Sequence, residues 1–297
     1  EREQSTLEFL KWRSLRKRDD TRFVGLTVPR VLLRRPYGDD PARRDGFCFQ
    51  EDVDGPDASK YLWGNAAFAF AAVTVRAFAA SRWFADIRGA QRQSDEQSVA
   101  AGRTIVEAGG LVAGLAVDSF RTDRPGVAPK FSTEVVIDDE TEAKLSALGL
   151  VSLSPCPDSE FCTFYANQSL HLPASYTKPG AEMSARLGAM LQYTLCVSRV
   201  AHYVKVIARG WVGKTTEAEE LQTYLENWLA GYVMPDPDAS PENKARKPLR
   251  EAKVKVDRVP GRAGSYKCTI ELMPHFQLDA LSASVRLSTE LTPVVGR

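Results

Sequence analysis

Residues 252–291 read AKVKVDRVPGRAGSYKCTIELMPHFQLDALSASVRLSTEL. Apolar and polar residues alternate in three runs of this segment, residues 253–259, 265–273 and 281–291, and the sequence PGRAG separates the first two runs. A period of two is typical of a β-strand that buries one face, and the proline and glycines are typical of a turn. The segment therefore predicts a three-stranded antiparallel meander with one apolar face.

The third run of the meander has no obvious strand partner in the residues that follow it. An edge strand carries unpaired backbone N–H and C=O groups, which proteins shield with charge or offer to another chain. Arg286 and Glu290 shield this strand only lightly. We therefore predict that a strand of a neighbouring subunit completes the sheet, and the candidate contact residues are Leu281, Ala283, Val285, Arg286, Leu287 and Leu291.

Two predicted helices precede the meander. Residues 182–208 carry apolar side chains around most of a helical circumference, which predicts one long helix. Residues 216–233 keep apolar residues at helical spacing, and Thr216 and Glu219 have the spacing of a capping box. Most acidic residues of this second helix lie away from its apolar stripe, and they are Glu217, Glu219, Glu220 and Glu226.

The first half of the chain mixes predicted helices and strands. A helix is predicted within residues 4–18, and a second one follows Asn65, with apolar residues on all sides that require cover. Residues 133–137 are β-branched, Asp138 can cap a helix through residue 148, and residues 150–153 are again apolar. This arrangement predicts a compact strand–helix–strand unit.

A domain boundary is predicted near residue 180. Residues 155–179 hold four prolines and no sustained periodicity, which is typical of a linker. We predict a mixed-sheet α/β domain in residues 1–180 and a domain of helices and antiparallel sheet in residues 181–297. The fold class is therefore α/β, of the α+β kind.

The composition excludes several classes of partner. The 39 basic and 38 acidic residues nearly cancel, so the chain has no basic field that would favour nucleic acid or an anionic membrane. The longest apolar stretch, residues 66–75, is far shorter than the roughly twenty residues of a spanning helix. Five scattered cysteines, an odd number, favour a reducing compartment. A start at Glu1 rather than at methionine is expected of a processed or partial chain.

A search for chemical motifs gives no catalytic, cofactor or metal residue. Residues 210–215, GWVGKT, resemble a phosphate-binding loop, but Ala208 stands where the first glycine belongs and a helix is predicted before it. His171, His202 and His275 have no metal-site spacing, and we expect His202 to be a hydrogen-bonded core histidine. The sequence therefore predicts a protein that is not an enzyme and needs no cofactor.

Several strings together resemble the large sheath subunit of the type VI secretion system, the TssC or VipB family. They cover the chain nearly end to end: FVGLTVPRVLLR at 23–34, PYG at 36–38, LWGNAAFAF at 62–70, IRG at 87–89, PK at 129–130, LGL at 148–150, SRVAHYVKVI at 198–207, LENW at 225–228, YV at 232–233, KPLREA at 247–252 and PHFQL at 274–278. Nothing before Glu1 corresponds to the family's N-terminal portion, so the chain resembles the C-terminal part of the subunit. Residues 91–105 lengthen a connection that is usually short in the family.

The resemblance implies a contractile tail-sheath fold and a set of partners. Residues 1–180 would form the middle domain shared with a small sheath subunit of the TssB or VipA type, and residues 181–297 the tail-sheath domain. Copies of both subunits would form a helical tubule in the bacterial cytoplasm around an inner tube of haemolysin-coregulated protein. Contraction would expel the tube, and a ClpV-type AAA+ ATPase would recycle the sheath mainly through the small subunit. Neither nucleic acid nor membrane insertion is implied.

The resemblance also suggests a role for the acidic helix. Residues 216–233 would lie near the lumen, where Glu217, Glu219, Glu220 and Glu226 would meet basic residues of the tube. An ordinary solvated helix face explains the same glutamates. Two other functions stay open: the sheath of a phage-tail-like particle, which would need no small partner, and a soluble α/β enzyme, which would need a site that the sequence does not display.

Overall fold

The structure is a computed structural model. It describes residues 6–34, 36–37, 49, 51–53, 58–89, 92–93, 106–112, 115, 119–120, 130–156, 161–211, 217–261, 265–275 and 285–291. The chain forms two compact units. Unit 1 comprises Glu1–Val24, Ala77–Asp86 and Ser169–Arg297, and unit 2 comprises Gly25–Arg76 and Ile87–Gln168. The domain boundary at residue 180 stays a prediction.

The described residues contain both helices and strands. The helices are α1 (Leu7–Arg16), α2 (Ala67–Ser81), α3 (Asp139–Ala147), α4 (Pro179–Gly188), α5 (Leu191–Trp211), α6 (Ala218–Ala230) and α7 (Pro241–Arg246). The strands are β1 (Leu26–Val28), β2 (Val31–Leu32), β3 (Trp63–Gly64), β4 (Arg92–Gln93), β5 (Val106–Glu107), β6 (Leu111–Val112), β7 (Ser119–Phe120), β8 (Lys130–Phe131), β9 (Leu150–Pro155), β10 (Cys162–Phe164), β11 (Leu249–Arg258), β12 (Tyr266–Pro274) and β13 (Val285–Leu291). This mixture confirms the predicted α/β class.

Side-chain caps fix the start of the first three helices. The Thr6 hydroxyl accepts the Phe9 N–H at the start of α1. The side-chain oxygen of Asn65 accepts the Ala67 N–H (2.8 Å), and that of Asp138 accepts the Thr141 N–H (2.8 Å). Each cap satisfies one backbone donor that the first turn of a helix leaves without an intrahelical partner.

Unit 2 contains a four-stranded mixed sheet in the order β1-β9-β10-β6. Strand β9 runs parallel to β1 and antiparallel to β10. The predicted strand at residues 133–137 is wrong, because only Thr133 makes a bridge, to Val31. Val135 and Val136 are exposed, so their β-branched side chains have no sheet to pack against. The parallel neighbour of β9 is therefore β1, and not the strand that was predicted at residues 133–137.

Unit 1 contains the predicted meander, an antiparallel sheet in the order β11-β12-β13. Its buried face packs on α5 and α6, and these strands and helices share one apolar core within unit 1. Strand residues of this core are Leu249, Val254, Val256, Cys268, Ile270 and Leu272, and helix residues are Cys196, Val200, Val204, Ala208, Ala218, Leu221, Leu225 and Leu229. Burial at every second strand residue and every third or fourth helix residue explains why periodicity identified these elements.

The predicted single helix over residues 182–208 is wrong, because the chain breaks between α4 and α5. The Ala189 carbonyl at the break accepts both the N–H (2.8 Å) and the hydroxyl (2.5 Å) of Ser169. The expectation of a core histidine is also wrong, since His202 lies on the exposed side of α5. In the described part of the chain, no helix combines the length and the apolar character needed to cross a bilayer.

Candidate functional site

The meander has two edge strands, and other segments of the chain bond to the outer edge of β11 at two places. The Val256 N–H donates to the side-chain oxygen of Gln222 on α6 (3.1 Å). The amide nitrogen of Gln222 donates in turn to the Glu226 carboxylate (3.0 Å), one helical turn further on. Glu226 thereby orients Gln222, and the amide covers a backbone donor that would otherwise be open to another strand.

The beginning of β11 is also covered. Its first residue, Leu249, donates to the Tyr232 carbonyl (3.2 Å) and accepts the Met234 N–H (2.8 Å), so the segment after α6 pairs with it. Further along, Lys253 and Lys255 form ion pairs with their strand neighbours, at 2.7 Å to Glu251 and 3.0 Å to Asp257. Exposed lysines on an edge strand oppose the approach of a further strand.

Hydrogen bonds of β11 also fix which backbone groups of the meander point outward. The Val256 N–H points away from β12, because it donates to Gln222, whereas the Val259 N–H donates to the Ser265 carbonyl in line with the β11–β12 ladder (3.0 Å). Antiparallel strands alternate between the two orientations, residue by residue. Beyond the register shift between Leu249 and Glu251, the odd-numbered residues of β11 therefore bond to β12, and the even-numbered residues point outward.

The same alternation carries through the regular register to β13. Its pairs include Cys268 with Thr289, Ile270 with Leu287 and Leu272 with Val285. Since the even-numbered residues of β12 bond to β13, the odd-numbered residues of β13 bond back to β12. The N–H and C=O groups of Arg286, Ser288 and Glu290 therefore point away from the sheet, and no described strand pairs with that side of β13.

This geometry places the predicted strand-contact residues in three groups. Leu281 and Ala283 lie outside the described residues. Val285, Leu287 and Leu291 direct their backbone groups to β12, and Arg286 directs its own outward. Sequence reasoning missed Ser288 and Glu290, because side-chain alternation reveals the buried face of a strand but not the direction of its backbone bonds. The role of all these residues stays a prediction.

The four acidic residues of the second predicted helix differ in their surroundings. Glu217 precedes α6 and pairs with Arg258, and Glu226 binds Gln222. Glu219 and Glu220 are exposed in the first turn, and none of the described side chains is seen to pair with them. Thr216 of the predicted capping box lies outside the described residues. Only Glu219 and Glu220 are therefore uncommitted within the described structure.

Unit 2 presents an apolar helix face. Phe68 and Val75 of α2 are 77% and 67% exposed, and Ala71 and Ala72 between them are exposed as well. The charged residue of this helix, Arg76, turns inward and donates to two backbone carbonyls at 2.7 and 2.8 Å. The face therefore has the large apolar and small residues that are typical of a helix-packing surface.

Among the described residues, the pKa shifts of the buried cysteine and histidine side chains do not identify a catalytic group. Burial raises the pKa of the Cys196 thiol to about 12 and that of Cys268 to about 11, so both stay protonated at neutral pH. Burial, with Lys244 nearby, lowers the pKa of His275. Over the described ranges, His, Cys, Asp and Glu side chains form no group of three that could hold a metal ion.

Comparisons with known proteins give one consistent result. A family model described as EvpB/VC_A0108, tail sheath N-terminal domain, matches residues 1–171. A second, described as EvpB/VC_A0108, tail sheath gpW/gp25-like domain, matches residues 180–291. The type VI secretion system sheath protein TssC1 of Pseudomonas aeruginosa is 40% identical over 288 residues, which is 97% of this chain and 55% of that protein. The chain thus spans about half the length of this curated relative.

Proposed function

Because this chain belongs to the VipB family of tail sheath proteins, we propose that it is a structural subunit of the contractile sheath of a type VI secretion system. It assembles with a small sheath subunit and with copies of itself into a helical tubule in the bacterial cytoplasm. The tubule surrounds an inner tube and expels it on contraction. The observation that carries the proposal is the one-sided meander, whose β11 bonds to other segments of the chain and whose β13 has no partner on its outer side among the described strands.

In this proposal a strand of a neighbouring subunit adds to β13. Its backbone bonds go to Arg286, Ser288 and Glu290, whose N–H and C=O groups point outward. Backbone pairing suits a contracting lattice, because the bonded strands hold neighbouring subunits together while their bodies rotate and slide. The strand contact is therefore the linkage that persists through contraction.

A proline at Ser288 tests the strand contact. Ser288→Pro removes one outward N–H, and proline is tolerated where the N–H of an edge strand faces solvent. We expect a folded protomer that forms no tubules with the small sheath subunit in negative-stain electron microscopy. Normal tubules from this variant would contradict the proposal.

Two neighbouring variants control for the side chain and for the fold. Ser288→Ala keeps the N–H, so it should form tubules. Leu287→Pro removes a bond to β12 and should lower the thermal midpoint of the protomer itself. The comparison of Ser288→Pro with Leu287→Pro thus distinguishes loss of the contact between subunits from loss of the sheet itself. A proline at Val285 or Leu287 alone would not, because both residues bond to β12.

The small sheath subunit covers the exposed apolar face of α2 in this proposal. Phe68→Glu and Val75→Glu should each abolish co-purification with that subunit, because they bury a carboxylate in an apolar contact. Ala143→Glu, at an exposed position of α3, is the matched control and should co-purify. Unchanged co-purification of both α2 variants would contradict this contact.

The inner tube meets the acidic side of α6. Of the four glutamates, Glu219 and Glu220 remain for basic residues of the tube, since Glu217 and Glu226 bind within the chain. Exposed ion pairs contribute only about 0–1 kcal/mol each, so the contact can break when the tube is expelled. Charge reversal of both residues should prevent co-sedimentation with the tube protein.

Recycling by a ClpV-type ATPase acts mainly through the small subunit.

A further inference from the structure

The register of the meander aligns charged residues of opposite sign in rows across its three strands. The register places Lys253 opposite Glu271, and Glu271 opposite Arg286. A second row runs in the opposite sense, with Asp257 opposite Lys267 and Lys267 opposite Glu290. Opposite charges at facing positions of antiparallel strands stabilise the pairing, and like charges destabilise it.

These rows define the strand that fits beyond β13. The next position of the first row calls for an acidic residue opposite Arg286, and that of the second row calls for a basic residue opposite Glu290. The fitting strand therefore carries an acid and a base four residues apart. Strand β13 itself, read in the antiparallel direction, has this pattern.

We propose that β13 of a second copy of this chain pairs with β13 in antiparallel orientation, centred on Ser288. Arg286 then stands opposite Glu290 of the second copy, and Glu290 stands opposite Arg286 of the second copy. Both positions and Ser288 point their backbone groups toward the added strand, so about six hydrogen bonds form between the copies. The result is one continuous six-stranded sheet.

The positions between the bonded pairs also match. Leu287 stands opposite Thr289 of the second copy, and Val285 stands opposite Leu291 of the second copy. Pairs of β-branched and aliphatic residues are favourable at the closely spaced, non-hydrogen-bonded positions of an antiparallel ladder. Each residue of β13 therefore has a suitable counterpart in the same strand of another copy.

Two-fold pairing of this kind closes on itself, because each copy uses on the other the edge of the meander that no described strand occupies. It therefore competes with growth of a helical tubule. The inference rests on the proposed function in one respect, that the β13 edge is open to another chain. It adds that this edge is self-complementary, so free subunits are held as dimers until a sheath partner displaces one copy.

Sedimentation equilibrium of the chain alone tests the dimer. We expect a dissociation constant of about 10–100 μM, since one strand pair buries less than the roughly 1,200 Å² of a standard interface. Ser288→Pro should weaken the dimer at least about tenfold, because it removes backbone bonds at the two-fold axis. A wild-type chain that stays monomeric up to about 1 mM would overturn the inference.

Charge exchange tests the register. Arg286→Glu alone and Glu290→Arg alone each place like charges opposite one another at both ends of the strand pair, so each should weaken the dimer about tenfold. Arg286→Glu combined with Glu290→Arg restores opposite charges and should return the dissociation constant to within about threefold of wild type. A double variant as weak as the single variants would overturn antiparallel pairing about Ser288.

Arg286 and Glu290 are also the register partners of Glu271 and Lys267 on β12 of the same copy, so a control for that strand is needed. Glu271→Gln removes the internal neighbour of Arg286 and leaves the outer edge unchanged, so its dimer should match wild type. Tubule formation with the small sheath subunit, measured on the same variants, keeps the two ideas apart. Loss of the dimer with normal tubules in the charge variants supports the inference, whereas a wild-type dimer without tubules contradicts only the proposed function.

Discussion

At the scale of single residues, Arg199 on α5 shows how one side chain serves two purposes. Its guanidinium lies near the centres of three aromatic rings, 4.6 Å from Trp83, 5.0 Å from Phe78 and 5.5 Å from Tyr203. It also donates to the carbonyl of Arg82, whose φ of +65° is uncommon for a residue other than glycine. Arg199 therefore packs on the aromatic cluster and holds a left-handed turn.

We expect Arg199→Lys to destabilise the protein by about 1 kcal/mol. Lysine keeps the charge but loses the planar group that stacks on the rings and reaches the carbonyl. Urea unfolding gives the free energy, and near-ultraviolet circular dichroism reports the environment of Trp83. Arg209→Lys, on the exposed side of the same helix, is the control and should change neither quantity. Equal losses in both variants would contradict this role.

A second residue-scale feature is the Glu51 carboxylate in unit 2. It accepts two bonds from the Arg34 guanidinium, at 2.6 and 2.9 Å, and one from the Tyr37 N–H at 2.8 Å. The bonds from Arg34 lower the pKa of Glu51 from 4.5 to about 2. A lowered carboxylate pKa stabilises the folded state fully above pH 4.5, and the contribution is lost as the pH falls toward 2.

The pH dependence of unfolding checks this assignment. Glu51→Gln should flatten part of the decline in unfolding free energy between pH 4.5 and 2, because the variant has no proton to take up. Some decline remains, since Arg30 lowers the pKa of Glu134 in the same way. Arg34→Gln should flatten the curve to a similar extent. An unchanged slope in Glu51→Gln would refute the assignment.

At the scale of elements, the break between α4 and α5 has a specific cause. The Ala189 carbonyl accepts two bonds from Ser169, so it is satisfied without continuing the helix. Periodicity within residues 182–208 could not show this, because the competing donor lies some twenty residues earlier in the chain. By contrast, the meander was predictable, since its strands pair with their sequence neighbours.

We expect Ser169→Ala to lower the unfolding free energy by about 1 kcal/mol, since it removes one of the two bonds to Ala189 in a buried position. The N–H remains, so helical circular dichroism should not change. Urea unfolding measures the loss, and Ser198→Ala at an exposed position of α5 should leave stability unaltered. Wild-type stability in Ser169→Ala would show that the backbone bond alone maintains the break.

At the scale of the whole molecule, the asymmetry of the meander depends on Gln222. Its oxygen binds the Val256 N–H, and Glu226 holds its nitrogen. Sequence analysis identified the apolar stripe of α6 and predicted that the last strand of the sheet has an open edge. It could not identify the bond between Gln222 and the edge of β11, because the sequence alone does not show that α6 lies beside this strand.

Gln222→Met should cost about 1 kcal/mol and expose the β11 edge, because the Val256 N–H loses its acceptor. We therefore expect concentration-dependent aggregation, followed by light scattering, in addition to the loss in urea unfolding. Gln222→Glu keeps an acceptor, and the like charge of Glu226 one turn away should cost only about 0.2–0.5 kcal/mol. Absence of aggregation in Gln222→Met would show that charged residues alone protect β11.

The division into two units was also beyond the sequence. Residues 77–86 belong to unit 1 although both segments around them, residues 25–76 and 87–168, belong to unit 2. Local patterns describe neighbours along the chain, whereas this grouping arises from contacts between distant segments. The helix after Asn65 was predicted correctly, but its sharing between the units was not.

Because α6 bonds to the outer side of β11, the meander has one unpaired edge among the described strands, that of β13. A sheet with two unpaired edges would add strands on both sides and would grow into branched or sheet-like aggregates. With one unpaired edge among its described strands, the meander takes up one strand and no more. Such a limit sets a one-to-one stoichiometry at this joint, and it keeps an ordered polymer from cross-linking to its neighbours.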